Sequence, residues 1–165
     1  MKRMYGILPW AIIAQAFLLV YLEVIEWVDM FPWNDVRRGN GQAGLDVALG
    51  LVMAIAIFAT YRRWRVGMIG AVLVYAAWLG LQITTFWTAY IGGASAHWQR
   101  IYAANFAQTI QWLPRWGTHL PPDASHFVLQ ILLAVALVTT AAATVRWHVQ
   151  LGEASSTRNP PGSDL

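Results

Sequence analysis

The sequence predicts an all-α integral membrane protein, a four-helix bundle with an interfacial amphipathic helix between spans three and four. Three observations predict it. Hydrophobic residues make up 58% of the 165 and charged ones 12%, against about 45–50% and about 25% in soluble proteins. Stretches of roughly 20 apolar residues, the helical length that crosses about 30 Å of hydrocarbon, occur near 8–28, 44–61, 67–90 and 124–147. Ten tryptophans supply the aromatic residues that collect at both membrane interfaces. Residues 1–151 read as one four-span domain, and 152–165, made of Gly, Ser, Pro and charge, as a disordered cytoplasmic tail.

The first span follows Met1-Lys2-Arg3, which is also how a secretory signal begins. The small-x-small site Ala14-Gln15-Ala16 is followed by Phe17-Leu18-Leu19-Val20, so cleavage there would cut inside the apolar stretch, and the segment reads as a retained span. Its last turns carry Glu23 and Glu26, with Asp29 at the end. Ionisable residues inside spans are rare, since each costs about 3 kcal/mol near the bilayer centre, and they mark functional sites by default. At the helical period, Gln15, Leu22, Glu23, Glu26 and Asp29 share one face.

The loop that follows carries turn formers at Asn34-Asp35 and Gly39-Asn40-Gly41, together with Arg37 and Arg38. The two arginines suit either a clamp for an anionic group or a capped connection between antiparallel helices. In span two, Gln42, Asp46, Gly50 and Ala54 recur every fourth residue, which directs Asp46 toward a neighbouring helix. Span three aligns Tyr75, Trp78, Gln82, Thr85 and Ala89. Gly92-Gly93 then breaks the helix, and Trp98, Ile101, Tyr102, Phe106, Thr109, Ile110 and Leu113 predict an amphipathic helix near 96–113 on the membrane surface. Its polar face holds His97 and Arg100. That helix either covers the mouth of the bundle as a lid or simply joins two spans. Span four opens with Pro121-Pro122-Asp123, Asp123 being the expected N-cap, and places His126, Gln130, Ala134, Leu137 and Ala141 on one stripe.

Positive charge sets the expected orientation, because short cytoplasmic loops retain Lys and Arg. Lys2, Arg3, Arg62, Arg63, Arg65, Arg146 and Arg158 fall on one side and Arg37, Arg38, Arg100 and Arg115 on the other, so both termini are expected in the cytoplasm and the protein in an inner membrane. Six of the eight carboxylates then lie in the outer half, against four arginines, for a local charge of −2 within a chain of +3. The basic excess is topogenic, and no nucleic-acid partner is expected. The absence of cysteine excludes disulfides and thiolate-held metal or haem.

All four spans place polar groups in their outer halves, whereas the inner halves show no comparable set. The expectation is an outward-facing acidic cavity. Its ligand-binding residues are Glu23, Glu26, Asp46, Gln82, His126 and Gln130, with Arg37 and Arg100 at the rim. A divalent metal ion is a candidate cofactor on Glu23, Glu26, Asp46, His97 and His126, with His119 nearby, although no paired metal-ligand spacing occurs. The competing reading neutralises the acids by salt bridges to Arg37, Arg38, Arg100 or Arg115. No nucleophile elbow, phosphate-binding loop or dinucleotide fingerprint occurs. Three functions fit: binding and transport of a small polar or cationic ligand or metal ion, with transport needing a homo-oligomer; a membrane-embedded acid–base or metal-dependent enzyme on a lipid-like or quinone-like substrate; or a non-catalytic subunit of a membrane complex.

Overall fold

Helices form where the apolar stretches were read and stop where the chain supplies a cap. The computed structural model describes residues 6–36 and 43–158, and among these it contains five helices and no strand. Helix α1 spans Leu8–Trp27, α2 Ala43–Tyr61, α3 Arg65–Gly92, α4 Ala96–Asn105 and α5 Ala124–Arg158. Three segments, Leu8–Trp27, Arg65–Gly92 and Ala124–Val149, are long and apolar enough to cross a membrane, which suggests a membrane protein. The fourth expected span is a helix at the expected position, the 19-residue α2.

Each boundary has a local cause. Proline stands in the first turn of α1, where its missing N–H and fixed φ do no harm. The far end of α1 is closed by Asn34, whose Nδ2 donates to the carbonyls of Ile25 (2.6 Å) and Val28 (2.9 Å), while its Oδ1 accepts from the Met30 amide. Between α2 and α3, the Trp64 amide donates back to the Ala59 carbonyl at 2.9 Å, and Arg63 adopts φ 54°. This left-handed closing residue is usually glycine. The Arg63 guanidinium instead lies 5.2 Å from the Trp147 ring centroid on α5, a cation–π contact that ties the turn to a third helix. Helix α3 ends at Gly92, and Gly93 caps it with a φ of 86° that favours a residue without Cβ; a Cβ there would also crowd the Thr118 hydroxyl. Ser95 caps α4 by accepting from the Trp98 amide.

Two expectations change here. The helix expected over 96–113 ends at Asn105, because the chain turns inward at Phe106 and the Thr109 hydroxyl bonds the Phe106 carbonyl at 2.8 Å. The apolar periodicity continues past Asn105, but irregular backbone delivers those side chains. The tail expected to be disordered from 152 is helical to Arg158, and residues 159–165 lie outside the described residues. Once a long helix is nucleated, each further turn adds at little cost.

Helix α1 packs on α2 and α5, and α3 packs on the same two. Their shared core contains Leu18, Leu22, Met53, Tyr75, Leu129 and Leu133. Small residues sit where backbones approach, as at Gly67, where a Cβ would meet Ala59 and the Trp64 ring. Phe17, Leu51, Phe58, Leu73, Leu81 and Val138 are exposed, whereas Gln15, Thr60 and Thr140 are completely buried. This is the arrangement expected of helices solvated by lipid, where polar groups find partners inside.

Those three buried residues correct the expectation of an apolar inner half. Gln15 Nε2 donates to Thr60 Oγ1 at 3.0 Å and to Thr140 Oγ1 at 2.7 Å, joining α1, α2 and α5. The stripe read on α2 also drifts: Gly50 is buried but Ala54 is exposed, and the inward face continues through Met53, Ala56, Ala59 and Thr60. A helix turns every 3.6 residues, so a strict four-residue repeat leaves its starting face.

Candidate functional site

The acidic end of α1 meets α2 through a missing side chain. The Glu23 carboxylate lies so close over Gly50 that a Cβ there would collide with its Oε1, while Oε2 accepts from the Trp27 indole at 2.9 Å. Glu26, one turn on and half-buried, feels the charges of Asp46, His126 and Glu23, and Asp46 feels that of Glu23. Among the described residues, no salt bridge joins any of these three acids to an arginine. Arg100 is exposed on α4, Arg115 lies over the Tyr102 ring at 5.9 Å, and Arg37 and Arg38 lie outside the described residues. Thus Glu23, Glu26, Asp46 and His126 come together, and Arg100 and His97, both exposed, do not join them.

Beside the acids stands a carboxylate–imidazole couple. Asp123 caps α5 through the His126 amide (3.3 Å), and its Oδ1 also holds His126 Nδ1 at 2.6 Å. Its Oδ2 accepts from the Ser125 hydroxyl at 2.8 Å. Burial raises the Asp123 pKa, but the hydrogen bond and charge of His126, with the Ser125 hydroxyl and the His126 amide, outweigh it and hold the carboxyl below its ordinary value. The ring of His126 packs against Phe86 and Phe106, with centroids 4.7 and 5.2 Å away. With Nδ1 committed to Asp123, Nε2 is the nitrogen left for a proton or a ligand. Ser125 is no nucleophile for this imidazole. Its hydroxyl donates to Asp123 and lies 3.4 Å from the nitrogen that Asp123 already holds.

Gln130 follows His126 by one turn and accepts the Trp87 indole N–H at 2.8 Å. Its Nε2 is buried without a partner, as are Gln82 Oε1 and Tyr75 Oη. Above these groups, main-chain bonds weave the loops together: the Ile110 amide donates to the Pro32 carbonyl, Ala124 to Ile110 and Ala94 to Thr118. Tyr102, buried in this layer, donates to the Pro121 carbonyl at 2.8 Å. Its pKa is pushed up to about 12, first by burial and then by the Asp123 charge, with Arg115 opposing. His119 belongs to the same framework, its Nδ1 lying 2.8 Å from the Tyr90 carbonyl.

Among the described residues, no three His, Asp or Glu side chains approach closely enough to hold a metal ion. His97 points away on α4, and one nitrogen of His126 is occupied by Asp123. Comparison of the chain with protein-family models, curated proteins and solved structures returned no match. What the arrangement can do follows from its own chemistry, namely three carboxylates with no arginine bridged to them among the described residues, an oriented imidazole and two amides that each keep one buried atom unpaired. Sequence reasoning missed the couple itself. Asp123 and His126 stand three apart, the spacing that brings side chains together on a helix, and that signal was present. The partners Phe86, Phe106 and Trp87 carried none, because they meet His126 and Gln130 only when α3 and the segment after α4 pack on α5.

Proposed function

We propose that this chain is a four-span inner-membrane protein, with α4 at the outer interface and both termini in the cytoplasm, that binds a small cationic ligand. The site lies at the outer ends of α1 and α2, against α5. Glu26 and Asp46 supply the charge, Glu23 the packing over Gly50, and His126, oriented by Asp123, the adjustable nitrogen. The observation that carries this reading is the convergence of Glu23, Glu26 and Asp46 with no arginine bridged to them among the described residues. Carboxylates held together in a helix bundle repel one another, and a bound cation relieves that repulsion. The buried Gln15–Thr60–Thr140 node supports a site open from one side, since it joins three helices below the acids.

The test is a titration of the detergent-purified chain with small ammonium compounds, followed by tryptophan fluorescence. Saturable binding should weaken at least about tenfold in Glu26→Gln and in Asp46→Asn, the effect of losing roughly 1.4 kcal/mol of attraction. Unchanged affinity in both folded variants refutes the reading. The Asp123–His126 couple favours a second reading, an acid–base enzyme in which His126 moves a proton on a substrate held by the acids. In that case His126→Gln abolishes turnover while leaving binding intact.

A further inference from the structure

The turn between α2 and α3 carries charge that neither the helix packing nor the acidic site uses. Arg62-Arg63-Trp64-Arg65 sets three arginines within four residues, at the opposite end of α2 from Asp46. Three hydrogen bonds fix its main chain, from the amides of Arg62, Arg63 and Trp64 to the carbonyls of Phe58, Thr60 and Ala59. Arg63, the residue at φ 54°, has its guanidinium 5.2 Å from the Trp147 ring centroid and holds the turn to α5. Arg62 and Arg65 are both exposed, and among the described residues no salt bridge engages either.

Retaining positive charge on one side of a membrane requires no fixed geometry, so topology accounts for the number of these arginines and not for their presentation. Arg62 and Arg65 are three residues apart, at most about 11 Å along the chain. Two long side chains rooted that close together can meet on one anion, and guanidinium groups bind phosphate through paired N–H donors.

The surroundings select the kind of phosphate. Arg65 opens a segment long and apolar enough to cross a membrane, and Trp147 lies near the end of another, Ala124–Val149. Phe58, Tyr61, Trp64 and Val66, next to the arginines in the chain, are all exposed. Aromatic and basic residues at the end of an apolar helix match the layering of a phospholipid, with the acyl chains along the helix and the headgroup at the level of Trp and Tyr. A soluble phosphate compound makes no use of that apolar rim.

We propose that the α2–α3 turn binds an anionic phospholipid, its phosphate held between Arg62 and Arg65 and its acyl chains on the exposed apolar residues beside them. The site is independent of the cation site at the other end of the bundle.

The experiment titrates the full-length chain in mixed micelles with phosphatidylglycerol and, separately, with phosphatidylcholine of the same acyl chains, and counts bound lipid by native mass spectrometry. Phosphatidylglycerol should bind roughly tenfold more tightly or better, since each basic residue at the headgroup level contributes about fivefold. Arg62→Gln and Arg65→Gln should each lower phosphatidylglycerol affinity about fivefold and leave phosphatidylcholine unchanged. Arg63→Gly suits the left-handed position and removes a charge that faces Trp147, so it should change the affinity less than about twofold. Arg63→Asn, which also tolerates that conformation, serves where the glycine variant does not fold. Equal affinity for the two lipids overturns the proposal, as does unchanged phosphatidylglycerol affinity in either glutamine variant. An equal loss in all three arginine variants also overturns it, in favour of diffuse attraction to surface charge. Displacement of the lipid by glycerol phosphate as readily as by phosphatidylglycerol overturns the lipid assignment in favour of a soluble phosphate compound.

Discussion

Deleting the Asp123 carboxylate removes several interactions at one point. Asp123→Ala takes away the cap on the His126 amide, the bond to His126 Nδ1 and the bond from the Ser125 hydroxyl. A lost N-cap costs about 1 kcal/mol, and a buried hydrogen bond to a charged group roughly 1.5–3 kcal/mol. The bonds share one carboxylate and do not add, so the expected loss is about 3 kcal/mol. Asp123→Asn keeps an acceptor for the His126 amide and ring nitrogen but drops the charge, and should lose about 1.5 kcal/mol. Unfolding by titration with a denaturing detergent, followed through tryptophan fluorescence, measures both. An alanine variant within 0.5 kcal/mol of the parent, or an asparagine variant as unstable as the alanine one, refutes the account of Asp123 as both cap and counter-charge.

The same carboxyl sets a pH dependence. Its pKa is depressed in the folded state, so its contribution is complete above the unfolded value of about 3.9 and disappears as the pH falls through the folded one. The stability gap between the parent and Asp123→Asn should therefore shrink as the pH falls below about 4, as read by the same unfolding assay at a series of pH values. Gln15→Leu removes two interhelical hydrogen bonds, each worth about 0.6 kcal/mol in membrane proteins, and should cost about 1 kcal/mol in that assay; Gln15→Ala should cost more by leaving a void. Gly50→Ala should displace the Glu23 carboxylate and break its bond to the Trp27 indole, visible as a shifted indole N–H resonance.

The helices were legible because each rests on a long local pattern. The Gly92-Gly93 stop and the Asp123 cap act within a few residues of where they stand, and the structure places both boundaries there. The end of α4 was not legible, since Phe106, Thr109 and Ile110 keep a helical spacing while serving an irregular segment that packs on His126 and Pro32. The acidic residues were visible for a different reason, that charge is conspicuous in an apolar helix. Thr60 and Thr140 are ordinary residues of apolar helices until the register of α1, α2 and α5 brings them to Gln15. The role of Gly50 was equally hidden, because a glycine in a span reads as helix packing and only the three-dimensional approach of Glu23 shows what occupies its place.

The Gln15 node also fixes a pivot. It pins α1 to α2 and α5 eight residues below Glu23, about 12 Å along the helix axis. At that lever length, tilting α1 by about 5° around the node carries the Glu23 carboxylate sideways by roughly 1 Å, enough to make or break a hydrogen bond. The spacing of the acidic groups is therefore governed by an angle set deep in the apolar half. A substitution at Thr60 or Thr140, which touches none of the acids, retunes their separation from a distance.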